Sequence, residues 1–155
     1  MFVRGGFLAL YFEDFVPGMT YRSREHTVTA EEIEQFAQLT GDFTSLHLDD
    51  EVAARSSFGR RIAHGALIFS LSVGLKTQTL DTNESIIAFY GLDNLRFTAP
   101  TFIGDTIHIE KTVLAAEAKD EGRGVVTNET KVVNQDGRVV QVYVDKVMLK
   151  RRVAG

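Results

Sequence analysis

Three runs follow one another in the first half of the chain: Gly41-Asp42-Phe43-Thr44-Ser45-Leu46-His47-Leu48-Asp49, then Arg60-Arg61-Ile62-Ala63-His64-Gly65, then Ala66-Leu67-Ile68-Phe69-Ser70-Leu71-Ser72-Val73-Gly74-Leu75. The last is apolar nearly all the way round, so as a helix it is expected to be buried rather than half-exposed. A buried helix that begins at a glycine brings free backbone N–H groups and a positive dipole end into the interior. The first run sets a carboxylate, Asp42, and an imidazole, His47, five residues apart with little helical or strand periodicity. Acid, base and oxyanion donors thus lie in one short piece of chain, which points to an enzyme.

Upstream, Pro17-Gly18 marks a turn and residues 21–28 alternate enough for a first strand. Thr29-Ala30-Glu31-Glu32 has capping-box spacing, Ile33, Phe36 and Ala37 keep a helical period, and Gly41 ends it. Downstream of the loop, residues 51–55 can form a short helix, and the central helix is expected over residues 64–79. From residue 85 the pattern changes to strands over 86–97, 106–114, 125–133 and 138–149. The last two are joined by Asn134-Gln135-Asp136-Gly137, a hairpin signal. Successive strands linked in this way give an antiparallel sheet, which defines an α+β class with one sheet curved around one long central helix. The helix face and sheet edges left over are expected to be covered by a second copy of the chain.

The totals narrow the function. At 155 residues the chain fits one domain spanning 1–155, with residues 1–11 as a flexible tail. It is 44% hydrophobic and 25% charged with a formal net charge of −4, which implies no general affinity for nucleic acid or anionic membranes. There is no cysteine, which excludes disulfides, thiolate metal sites and a cysteine nucleophile. No apolar run reaches the roughly 18 residues a membrane helix needs, and the first ten residues lack a signal-peptide cleavage pattern, so a cytoplasmic protein is expected.

The Gly41–Asp49 run followed by Ile62-Ala63-His64-Gly65 resembles the signature of the MaoC-like dehydratases, which include the (R)-specific enoyl-CoA hydratases of hot-dog fold. The resemblance implies that Asp42 and His47 bind and activate a water, and that the Gly65 N–H holds the thioester oxygen. It implies a lyase that reversibly hydrates a 2-enoyl thioester to an (R)-3-hydroxyacyl thioester carried on coenzyme A or an acyl-carrier protein, with no cofactor of its own. Such sequences usually read Asp-x-Asn-Pro-x-His, whereas Thr44 and Ser45 stand in the third and fourth places here. Threonine offers one hydroxyl where asparagine has a separate donor and acceptor. Two other readings stand beside the hydratase: a hot-dog thioesterase and a non-catalytic acyl-thioester-binding subunit. Thioesterases of this fold tend to carry a carboxylate on the central helix, and residues 66–75 contain none.

Supporting roles are expected for Thr44, for His64 as a structural residue bonding the loop and orienting Gly65, and for Ser72. For Ser70 and Ser72 the plainer reading is a hydroxyl bonded back to its own helix; the sharper one puts one of them near Asp42. Arg60 and Arg61 are either contacts for carrier phosphates or solvated surface charge. His26 and His108 are expected to be solvent-facing or locally bonded, and Lys150-Arg151-Arg152 to be a solvated tail. No His, Asp or Glu group has metal-ligand spacing, so no metal is expected. Phe43, Phe58, Phe69 and Phe89 hint at a filled pocket and a short or branched acyl chain.

Overall fold

The apolar alternation of the second half builds a sheet whose inner face receives the central helix. The computed structural model describes residues 8–152. A 3-10 turn, Phe12–Asp14, leads into β1 (Thr20–Arg22), β2 (His26–Thr27), α1 (Ala30–Thr40), α2 (Ser45–Leu48), α3 (Asp50–Arg55) and α4 (Gly65–Thr77). Then come β3 (Ile86–Phe97), β4 (Thr106–Ala118), β5 (Arg123–Val133) and β6 (Val139–Lys150). The strands pair antiparallel in the order β1-β4-β5-β6-β3, with β2 also on β4. This is the expected α+β arrangement of a sheet around a helix.

Local chemistry explains the element ends. Thr29 accepts from the Glu32 N–H at 3.2 Å while Glu32 accepts from the Thr29 N–H at 2.9 Å, closing the capping box. Gly41 ends α1 at φ 79, a left-handed conformation that favours glycine. In the β5–β6 hairpin, Asn134 Oδ1 accepts from the N–H groups of Asp136 and Arg138, both at 3.0 Å, and Gly137 has φ 75.

Several boundaries differ from expectation for identifiable reasons. The first strand is split into β1 and β2 because Ser23 turns its hydroxyl inward, accepting from the Ile109 N–H and donating to the Arg24 carbonyl. β4 runs on to Ala118 because a register shift between Val113 and Ala115 lets pairing resume. α4 ends at Thr77.

The central helix, expected to be buried all round, is half-exposed. Leu67, Ile68, Ser72 and Leu75 are buried, while Ala66, Ser70 and Thr77 face solvent. Leu67, Ile68 and Leu75 pack with Val28, Ile33, Ile107, Ile109, Val132, Val140 and Tyr143. Burial of each large side chain contributes about 1.5–3 kcal/mol. Packing therefore outweighs the cost of about 1 kcal/mol for Gly74 within the helix. A second cluster, Phe12, Phe15, Val113, Val126, Val147 and Leu149, sits under the N-terminal turn.

That turn is tied down at both ends. The Leu10 N–H donates to the Asp81 carbonyl at 2.8 Å, and Ser85 donates to the Leu10 carbonyl. The tail expected over 1–11 lies, for residues 1–7, outside the described residues. The basic C-terminal stretch is not a solvated tail. Arg151 Nε donates to Glu13 at 3.1 Å, and Arg152 makes a bidentate pair with Asp14 at 2.8 and 2.6 Å.

A polar belt crosses the middle of the sheet's inner face. Lys111 Nζ donates to both Asp145 oxygens at 2.7 Å, and Thr130 and Asn128 donate to the same carboxylate at 2.7 and 3.3 Å. Lys76 of α4 approaches it to 3.8 Å. Lys111 and Asp145 are 1% and 0% exposed, so this pair is held entirely away from water.

Candidate active site

The loop after α1 is folded by its own side chains. Gly41 turns the chain, and Asp42 follows with its carboxylate outward. Asp42 Oδ1 accepts from the Thr44 hydroxyl at 2.6 Å and the Thr44 N–H at 3.2 Å. These two bonds, the hydroxyl first, favour the charged carboxyl and hold Asp42 below the usual carboxylate range. Threonine at the position of the family's asparagine thus serves the carboxylate directly. Replacing Thr44 by valine removes the hydroxyl and keeps the backbone donor, so the Asp42 titration midpoint is expected to rise toward the ordinary value. Carboxyl carbon NMR of both proteins checks this, and an unmoved midpoint would discount the hydroxyl.

α2, a single turn absent from the sequence reading, presents His47. Its Nδ1 lies 2.8 Å from the Ile62 carbonyl. A carbonyl only accepts, so Nδ1 carries the proton in this bond and a neutral ring keeps its lone pair on Nε2. Two neighbours of Ile62 reach back to the same loop. Arg61 Nε donates to the His47 carbonyl at 2.7 Å, and His64 Nε2 donates to the Asp42 carbonyl at 3.1 Å. Residues 61–64 therefore grip the loop at both Asp42 and His47 immediately before α4 begins.

His64 is 2% exposed, its ring 4.0 Å from that of His47 and 5.0 Å from that of Phe36, centroid to centroid. Burial lowers its pKa, which favours a neutral ring. A carboxylate oxygen of Asp42 and one ring nitrogen from each histidine all lie within 4.8 Å of one another. A water making two hydrogen bonds of about 2.8 Å spans that gap. The sequence showed no metal spacing, yet in space these side chains form a cluster that could hold a cation. One nitrogen of each ring is already committed to a main-chain carbonyl, and Asp42 Oδ2 also lies 4.0 Å from His64 Nε2; Asp42 and the second nitrogen of His47 are the pair left open to a water.

Gly65 opens α4 beside this pair, and among the described residues no side chain caps the helix. Its first-turn N–H groups are thus free for a ligand oxygen. A Cβ at Gly65 would lie 2.7 Å from Phe97 Cε1, so this position has no room for any other residue without displacing that ring.

The remaining candidates are placed as follows. Arg61 is 9% exposed and bonded inward, with its Nη2 3.7 Å from Glu34, so it supports the loop and is not the solvated surface charge that was one of its two readings. Arg60 is exposed, its guanidinium 3.9 Å above the Phe102 ring. Ser72 does not join Asp42: seven residues beyond Gly65, about 10 Å along the axis, its buried hydroxyl bonds the Phe69 carbonyl and Tyr143 Oη. Ser70 bonds back to the Ala66 carbonyl. His108 is buried, between Arg22 and Glu110, and His26 meets Glu32 at 2.8 Å. Phe43, Phe58 and Phe89 are exposed, and Phe69 packs edge-on against both Phe89 and Tyr143. Sequence reasoning missed the role of Arg61 and the inward polar residues of β6, whose signal was Gln141, Tyr143 and Asp145 at alternate positions of an apolar strand.

Residues 14–135 match the family described as MaoC like domain. The chain belongs to the MaoC-like family. It is 39% identical over 108 residues to the (R)-specific enoyl-CoA hydratase of Aeromonas caviae, covering 70% of this chain and 76% of that protein. Against Protein MaoC of Klebsiella aerogenes the identity is 38% over 117 residues, 72% of this chain, but the match spans only 34% of that longer protein. Among solved structures, the MaoC-like dehydratase from Rhodospirillum rubrum superposes with a TM-score of 0.84 at 34% identity, covering 94% of this chain and 100% of that one. A Mycobacterium tuberculosis protein with a double hotdog fold superposes at 0.81 with 20% identity, over 93% of this chain and 45% of that one, which bears on fold alone.

Proposed function

We propose that this MaoC-like chain reversibly hydrates a 2-enoyl thioester to an (R)-3-hydroxyacyl thioester. The observation that carries the reading is the cluster of the Asp42 carboxylate with the His47 and His64 rings, within 4.8 Å of one another, beside the uncapped start of α4. The relatives named as enoyl-CoA hydratase support it.

In this reading a water sits between Asp42 and His47. As its oxygen attacks the β-carbon, the pair takes up one of its protons and returns one to the α-carbon, so the sum is the addition of one water. The thioester oxygen, becoming enolate-like, is held by the Gly65 N–H, fixed before the reaction begins. The thioester carrier is coenzyme A or an acyl-carrier arm, with Arg60 as a phosphate contact, and no further cofactor enters. β3 carries exposed Ile86, Ile87, Phe89, Tyr90, Leu92 and Phe97 on a strand paired on one side only, and a second copy covers this edge in a homodimer. Among the described residues no helix is long and apolar enough to cross a membrane; the working compartment is the cytoplasm.

The test is a panel of enoyl-CoA substrates of different length and branching, followed by enoyl absorbance and by free thiol. Hydration removes the absorbance without releasing thiol. Thiol release would instead establish the thioesterase, and tight binding without turnover would establish a binding subunit. Light scattering reads the oligomer.

A further inference from the structure

The inward residues of β6 meet the central helix through three different polar contacts. Gln141 Nε2 donates to the Gly65 carbonyl at 2.7 Å, Tyr143 Oη meets Ser72 Oγ at 2.7 Å, and Asp145 lies 3.8 Å from Lys76. At 3.6 residues per turn, Ser72 and Lys76 fall within about 20° of Gly65 around the helix. The three therefore form one seam on one face of α4. An amide-to-carbonyl bond, a hydroxyl pair and an ion pair are not interchangeable, so sliding α4 along its axis breaks all three. The seam fixes where the helix begins.

Its first contact is the one beside the reaction. Gln141 pairs across the sheet with Phe97, the residue whose ring lies against Gly65. One neighbour holds the Gly65 carbonyl and the other closes the space over its Cα. Gln141 is 2% exposed, and its Oε1 has no hydrogen-bond partner among the described residues. An apolar side chain of the same length would avoid burying that unpaired acceptor, so stability alone is a poor reason for glutamine here. We propose that Gln141 is a positioning residue: by holding the Gly65 carbonyl, which shares its peptide plane with the Ala66 N–H, it fixes the first turn of α4 and with it the place of the Gly65 N–H beside the thioester oxygen. The proposal rests on the hydratase reading for its consequence but not for its geometry.

Gln141→Met keeps the length and removes the donor. The expected result is kcat lowered about 10- to 100-fold with KM changed less than about threefold, as for a displaced transition-state contact. Gln141→Glu adds a readout that a merely structural role would not move. Its carboxyl donates to the Gly65 carbonyl only when protonated, so kcat relative to the parent is expected to recover as pH falls. Parent-like kcat in Gln141→Met overturns the proposal. So does a Gln141→Glu pH profile matching the parent's, which decides the matter even where Gln141→Met fails to fold. The Gly65 amide resonance supplies an arm independent of turnover and is expected to move in either variant. A parent without hydratase activity would remove the reading above, while an unmoved Gly65 amide would remove this one.

Discussion

His47→Gln is expected to lower hydration of crotonyl-CoA by about 100- to 10,000-fold, the range for loss of a positioned general acid–base group. The loss follows from geometry. The His47 ring is oriented by the Ile62 carbonyl and brings one nitrogen within 4.8 Å of an Asp42 carboxylate oxygen, and glutamine has no titratable nitrogen to offer there. Asp42→Asn should act similarly, because the amide keeps the shape and loses the charge. Both side chains lie toward the surface, His47 half-buried and Asp42 exposed, so thermal unfolding should shift by only a few degrees. Steady-state rates with melting curves check the pair of statements. A His47→Gln protein turning over at the parent rate would remove the imidazole from the mechanism.

Asp145→Asn is expected to cost about 3–5 kcal/mol at pH 7, the usual consequence of leaving one member of a buried ion pair behind. Lys111 has no other carboxylate within salt-bridge distance among the described residues. Even in the parent, burial pushes the Lys111 ammonium down to about 8 from its ordinary value of 10.5. The sign follows from proton counts. Between those values the unfolded chain binds more protons at Lys111 than the folded one, so this group's contribution to stability improves as pH rises from about 8 toward 10.5. Below 8 both states are charged and the full cost of burial stands. Removing the Asp145 carboxylate lowers the folded pKa further, so the variant's deficit should shrink in alkaline buffer as Lys111 loses its proton. Urea unfolding at pH 7 and pH 9.5 measures both terms. A deficit below about 1 kcal/mol, the same at both pH values, would mean that the pair behaves as an exposed one.

The fold was legible wherever periodicity and caps act locally. Thr29, Gly41 and the Asn134–Gly137 turn carry their own instructions, and the boundaries they mark are met. The half-exposure of α4 was not legible, because an apolar helix reads the same whether its outer face meets solvent or another surface. In the candidate site, the nearness of Asp42 and His47 and the place of Gly65 at a helix start were legible, since they belong to short contiguous runs. Arg61 could not be placed: its neighbour Arg60 has the same side chain and lies exposed, and only the path of the backbone sends one inward and the other over Phe102. Gln141 lies 76 residues from Gly65, and a contact across that separation leaves no local trace.

The buried lysine has one more implication, for how the chain finds its pairing. Strands rich in valine, such as β5 and β6, could stack apolar side chains in several offsets with little difference in energy. Lys111 removes that freedom. A shift of β6 by one residue turns Asp145 to the outer face, and a shift by two sets Tyr143 or Val147 where the carboxylate belongs. Each misaligned sheet would strand an ammonium in a dry interior, so a single charged side chain discriminates against errors that the surrounding valines would tolerate.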